Sequence, residues 1–170
     1  MRPTPIAILL SIILFAASAQ AADPGPADVV KAFNGAITER KLDAALAHVA
    51  KGSVQYTLRA AHAGVPTGEG GITSDLKAHW SMIGPVVIGA TSSYQRIPEI
   101  LDTRIDGDLA TVWAQTSSES VDRNGKAQQN KFSEVYLLVK TAGGWQIGAM
   151  ADNRGATAFA GAPTEPAGSK

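Results

Sequence analysis

Cysteine is absent from the 170 residues, so neither disulfides nor thiolate metal sites are available and the fold must be stable through its core alone. Aromatic residues are scarce, at 6%, which makes each Trp and Tyr on a structured element a candidate for ligand contact. No excess of one charge exists: 15 Lys and Arg face 15 Asp and Glu, spread along the chain. Binding of nucleic acid needs clustered cations that displace counterions, and a membrane surface needs a polybasic stripe; neither is present. The expected partner is a small molecule or another protein. Motifs for hydrolysis and phosphate binding are missing as well. There is no Gly-x-Ser-x-Gly elbow, and no Lys-Ser/Thr follows Gly68-Glu69-Gly70-Gly71. His48, His62 and His79 have no local metal-ligand spacing. No metal or cofactor is therefore expected.

Long apolar runs are missing too, except one. Ile6 to Ala17 is nearly unbroken, follows Met1-Arg2 and precedes the small residues Ala17-Ser18-Ala19-Gln20-Ala21. This is the three-part pattern of a secretory signal peptide, and it is shorter than the roughly 20 residues needed to span a bilayer. Cleavage is expected after Ala21, or after Ala19, giving a periplasmic or secreted protein with no membrane attachment. The remaining residues suffice for one core and fit two domains poorly.

Beyond the leader, Val29, Val30, Phe33 and Ile37 recur at helical spacing, with Asp28, Lys31, Asn34 and Glu39 turned elsewhere, predicting a helix over Pro26–Arg40. Asp43 reads as the N-cap of a short second helix, and Ser53–Ala60 as a first strand. Ala61–Gly71, with four glycines and a proline, reads as a loop, with room for a short strand near Val65. A third helix, capped by Thr73 or Ser74 and carrying Leu76, His79, Trp80 and Ile83, is expected to stop at Gly84-Pro85. Four strands follow, about Ser93–Ile105, Leu109–Val121, Gln128–Thr141 and Trp145–Asn153. They are joined at Asp106-Gly107, Asn124-Gly125 and Gly143-Gly144, the residue pairs that favour tight hairpin turns. Pro98 implies an edge strand or a bulge. Residues 155–170, rich in Ala, Gly, Pro and Thr, read as a disordered tail. The order predicts an α+β fold: a cone-shaped half-barrel with three N-terminal helices packed on a strongly curved, mainly antiparallel sheet, spanning residues 22–154.

That order, with Asp106-Gly107-Asp108-Leu109-Ala110-Thr111-Val112-Trp113 in one hairpin and Gly143-Gly144-Trp145-Gln146-Ile147 in the next, resembles the nuclear transport factor 2-like superfamily. More narrowly it resembles the SnoaL-like and lumazine-binding-like bacterial branch, over about Pro26 to Arg154. The resemblance implies the cone, a pocket within it and dimerisation through the outer sheet face, giving a homodimer. It implies no particular reaction, because isomerases, cyclases, dehydratases, hydrolases, transport adaptors and dimerisation modules share the cone. No catalytic residue carries over.

The residues supply their own candidates. Phe132, Glu134, Tyr136 and Leu138 share one strand face. Buried there, Glu134 would have a raised pKa suited to acid–base work; otherwise it faces solvent or pairs with Lys131. His79 is either a pocket base or a hydrogen-bonded core residue. Tyr56, Trp80, Tyr94, Trp113 and Tyr136 could line a cavity or simply fill the core. On the last strand Trp145, Ile147, Ala149 and Ala151 are expected to face the helices, with Asn153 continuing that face. Asp152, Asn153 and Arg154 form either a polar rim or a solvated terminus. Three readings follow. The first is a binding domain for a small apolar or aromatic molecule. The second is a cofactor-independent isomerase or cyclase with Glu134, His79 or Asp152 as base and a Tyr as oxyanion donor. The third is a structural dimerisation module.

Overall fold

The computed structural model describes residues 23–62 and 65–154. The signal peptide expected over 1–21 and the tail expected over 155–170 lie outside the described residues. Helix α1 (Pro26–Thr38) leads into α2 (Leu42–Ala47), then strands β1 (Val49–His62) and β2 (Val65–Ser74), helix α3 (Leu76–Ala90), and strands β3 (Thr91–Asp106), β4 (Leu109–Asp122), β5 (Ala127–Thr141) and β6 (Gly144–Asp152). The six strands form one sheet in the order β2-β1-β6-β5-β4-β3. Only the β1–β6 pairing is parallel. The helices cover one face, as expected for an α+β cone. Gly107 and Gly125 adopt positive φ, +57° and +84°, as the hairpin turns require.

The core joins Val29, Val30, Phe33 and Ile37 of α1, Leu76, Trp80 and Ile83 of α3, and Val112, Tyr136, Leu138 and Ile147 of the sheet. Besides Asp43, which lies in the first turn of α2 behind an N-cap at Lys41 rather than capping the helix itself, four details differ from the sequence expectation. The Gly-rich segment contains β2, a ten-residue strand paired antiparallel with β1; strand pairing overrides the poor intrinsic preference of glycine. Helix α3 is capped by Asp75, whose side chain accepts from the Ala78 amide, and it runs through Gly84-Pro85 to Ala90. Its C-terminal carbonyls are held from outside: Arg40 donates to Ile88 and Thr91, and Arg123 to Gly89. Gly84 is required by a close approach, since a Cβ there would lie 2.8 Å from Leu42 Cδ2.

Asn34 is the third departure. It is fully buried rather than turned away from the core. The fourth lies on β6. Leu137 pairs with Ala149 but Leu138 pairs with Ile147, leaving Gly148 as an extra, bulged residue. Because side chains alternate with period two, one extra residue swaps the faces of everything after it. Met150, Asp152 and Arg154 therefore point inward, while Ala149, Ala151 and Asn153 do not. Pro98 lies on edge strand β3, just before a bulge between Ile100 and Asp102.

Candidate functional site

The interior of the cone holds a charged cluster built by six elements, α1, β1, β3, β4, β5 and β6. Glu134 on β5 has no solvent exposure. Its Oε1 accepts from Arg96 Nη2 of β3 at 2.6 Å, and its Oε2 accepts from the Tyr136 hydroxyl at 2.8 Å and from the Thr116 hydroxyl of β4. Asn34 on α1 ties the cluster to the helices: its Oδ1 accepts from Arg96 Nε at 2.7 Å, and its Nδ2 donates to Tyr136 Oη at 3.1 Å. Arg154 Nη2 lies 3.8 Å from both Glu134 Oε1 and Asp152 Oδ2. Asp152 also accepts from Gln55 Nε2 of β1 at 3.0 Å. Phe132 is flanked by both guanidinium groups, at 5.5 Å from Arg96 and 4.3 Å from Arg154. Two cations and two carboxylates thus offset each other's charge in the buried interior.

This arrangement corrects the expected chemistry of Glu134. Burial pushes its carboxyl up, but the charges of Arg96 and Arg154 and the bonds from Thr116 and Arg96 outweigh that and hold it below the usual range. A weakly basic, enclosed carboxylate with both oxygens engaged is poorly suited to abstract a proton. Tyr136 is pushed well above the ordinary phenol range by burial and by the Glu134 charge. Its hydroxyl already donates to Glu134 and accepts from Asn34, so it has no proton to offer an oxyanion. Glu134's low folded pKa stabilises the fold fully above the ordinary carboxylate value of about 4.3 and loses that effect as pH falls through the lower folded value. The stability gap between the wild type and Glu134→Gln should therefore narrow on acidification below about pH 4. Urea titrations at several pH values check this, and a gap that stays constant into strong acid contradicts it.

The remaining candidates are dispersed. His79 is half-buried on α3, and its burial lowers its pKa. Asp152 joins the cluster, but Asn153 is exposed and its side chain accepts from the Ser133 amide at 2.8 Å. Tyr56 and Trp113 lie on the outer sheet face, 45% and 50% exposed, and so cannot line the cone. Trp80 and Tyr94 do meet, in a nook between α1, α3 and β3 that is also lined by Ile37, Leu42, Val87 and Ile88. The room in it is about 20 Å³, enough for about one water-sized sphere, within some 280 Å³ of unfilled space that includes open solvent. Arg40 stands at its edge and also borders an open cleft of about 810 Å³ with Lys41 and Arg123. Among the described residues no group of three His, Asp or Glu side chains could hold a metal.

Sequence reasoning missed Arg96, Asn34, Thr116 and Gln55. Strand parity was the available signal for two of them: Arg96 shares a face with Tyr94, and Thr116 with Val112 and Ala114.

No protein-family model and no curated protein matches the chain. Solved structures match it well. The chain superposes on the Kfla4162 protein from Kribbella flavida with a TM-score of 0.62 at 14% identity, covering 78% of this chain and 92% of the other. A ketosteroid isomerase-like protein from Erwinia carotovora atroseptica gives 0.56 at 20% identity, covering 74% and 89%. An NTF2-like protein with a cystatin-like fold from Novosphingobium aromaticivorans gives 0.52 at 11%, covering 74% and 76%. Proteins whose names point to ring hydroxylase and dehydratase chemistry share the fold too. The chain has the fold of the nuclear transport factor 2-like superfamily.

Proposed function

We propose that this chain is a non-catalytic small-molecule-binding domain, exported to the periplasm or secreted, that takes a small apolar end of its ligand beside Trp80 and Tyr94. The carrying observation is the nook itself. Apart from Arg40 at its edge, its lining consists of aliphatic and aromatic side chains and Gly84, without a carboxylate or histidine. Binding in such a site is driven by removal of apolar surface from water. The open cleft beyond it, bordered by Arg40, Lys41, Asp43 and Arg123, suits a polar head group. Against a proton-transfer enzyme stands the state of Glu134, engaged on both oxygens and shielded from solvent. The leader pattern at residues 6–21 supports export.

The test uses isobutyrate and its neutral counterpart isobutanol as probes, whose branched ends match a nook with room for about one water-sized sphere. Both should raise the melting temperature in a concentration-dependent way. Val87→Phe, which fills the nook with extra ring atoms, should abolish the shift while leaving the circular dichroism spectrum unchanged. No shift with either probe, or an undiminished shift in Val87→Phe, would overturn the assignment of ligand binding to this nook.

A further inference from the structure

The nook beside Trp80 and Tyr94 has room for about one water-sized sphere, while the neighbouring cleft holds about 810 Å³. What stands between them is the end of α3, residues 85–90. Val87 lines the nook, Pro85 and Gly89 line the cleft, and Ile88 lines both.

That segment is weakly tied to the rest of its helix. Pro85 has no N–H for the Ser81 carbonyl, so the hydrogen-bond ladder is interrupted where the segment begins. The last carbonyls of a helix have no partner within its ladder, and here side chains meet them. The Thr91 hydroxyl donates to Val87 O at 3.0 Å. Arg40 donates through Nη1 to Ile88 O at 3.4 Å and through Nη2 to Thr91 O at 3.0 Å. Arg123, on the exposed β4–β5 turn, donates through Nε to Gly89 O. Outside the segment there is space, since a Cβ on Gly89 would meet nothing within 4 Å.

Arg40 is an unusual residue for its position. The Lys41 amide donates to Ala36 O at 2.9 Å and the Arg40 amide to Ile37 O at 3.0 Å, the Schellman pattern that ends α1. Arg40 thereby occupies the left-handed position, at φ +60°, where glycine is the common residue. The strained backbone delivers a guanidinium to the end of α3, and strain of this kind points to a function.

We infer that residues 85–90 are a gate between nook and cleft, latched by Arg40 and Arg123, and that the nook takes its ligand only with the latch released. The gate rests on the reading of the nook as the ligand site. Both ends of the segment are fixed: Gly84 is packed closely on Leu42, and Thr91 is paired with Asp122 in the sheet. Release of the arginine bonds lets the residues between them move outward, starting at the interruption before Pro85. Val87 and Ile88 then draw back from Trp80, and nook and cleft join into one site, apolar at its inner end and polar at its mouth. A ligand that binds only the released form has an apparent Kd raised in proportion to the rarity of that form. One change to the latch must therefore move two observables by one factor: hydrogen exchange of the amides of residues 87–90, and affinity.

The experiment measures both on the mature chain by NMR, with isobutanol as the probe, because an uncharged ligand is indifferent to the charge of a deleted arginine. Arg123 is exposed, so Arg123→Ala leaves no cavity. It should speed exchange at residues 87–90 and tighten isobutanol binding by the same factor, roughly three- to tenfold for one lost hydrogen bond. Exchange in α1 should not change. Pro85→Ala, also at an exposed position, gives the Ser81 carbonyl an N–H, and should slow exchange and weaken binding. Equal exchange and equal affinity in wild type and Arg123→Ala would overturn the gate and leave the nook a rigid site. A change in one observable without the other would overturn it too. No isobutanol binding in any of the three proteins would overturn the gate together with the reading of the nook on which it rests.

Discussion

Arg96→Met is expected to destabilise the protein by about 3–5 kcal/mol, the cost of leaving a buried carboxylate without its principal counter-charge. Arg96 and Glu134 are both removed from solvent, with 2.6 Å between Nη2 and Oε1. The methionine fills most of the arginine's volume, so the loss is electrostatic rather than a cavity effect. It also strips a donor from Asn34 Oδ1, and with it the polar tie between α1 and the sheet. The companion variant decides the interpretation. In Arg96→Met/Glu134→Leu both charges are gone, and most of the lost stability should return, because an apolar replacement of a whole buried pair is often near neutral. Urea denaturation of the four corners of the cycle gives the coupling directly. Additive single effects would show that Arg154, at 3.8 Å from Glu134, and not Arg96, is the charge that matters.

Much of the architecture was legible in the sequence because its signals are local. The three Gly-containing turns fix the hairpins, and the 3.6-residue spacing of Val29, Val30, Phe33 and Ile37 fixes α1. Where neighbours on other elements decide, the reading failed. Helix α3 continues through Gly84-Pro85 because arginines from the α1–α2 turn and the β4–β5 turn hold its end. The strand over the Gly-rich segment exists because β1 pairs with it. For the candidate site, Glu134 was legible as an odd carboxylate among apolar neighbours. Its charge state was not, since that is set by Arg96, 38 positions away. Tyr56 and Trp113 look like cavity aromatics until strand parity places them on the opposite face.

Deleting Gly148 is expected to be tolerated, because Gly148 is the one extra residue of the bulge. Ile147 pairs with Leu138 and Ala149 with Leu137, so without Gly148 the two become consecutive and the ladder closes with no slip. Regular alternation then keeps Ile147, Met150 and Asp152 inward and Ala149 and Ala151 outward, the faces they already have. Gly148→Ala separates length from composition: a Cβ there meets the Val139 methyls at 3.7 Å, ordinary contact distance, so that variant should lie within about 1 kcal/mol of wild type. Urea midpoints for the two variants, read with the near-ultraviolet signal of the tryptophans, give the comparison. A deletion variant that loses more than about 4 kcal/mol, the range of changes that disrupt a core, would show that the two halves of β6 do not keep their pairing with β5 once the extra residue is gone.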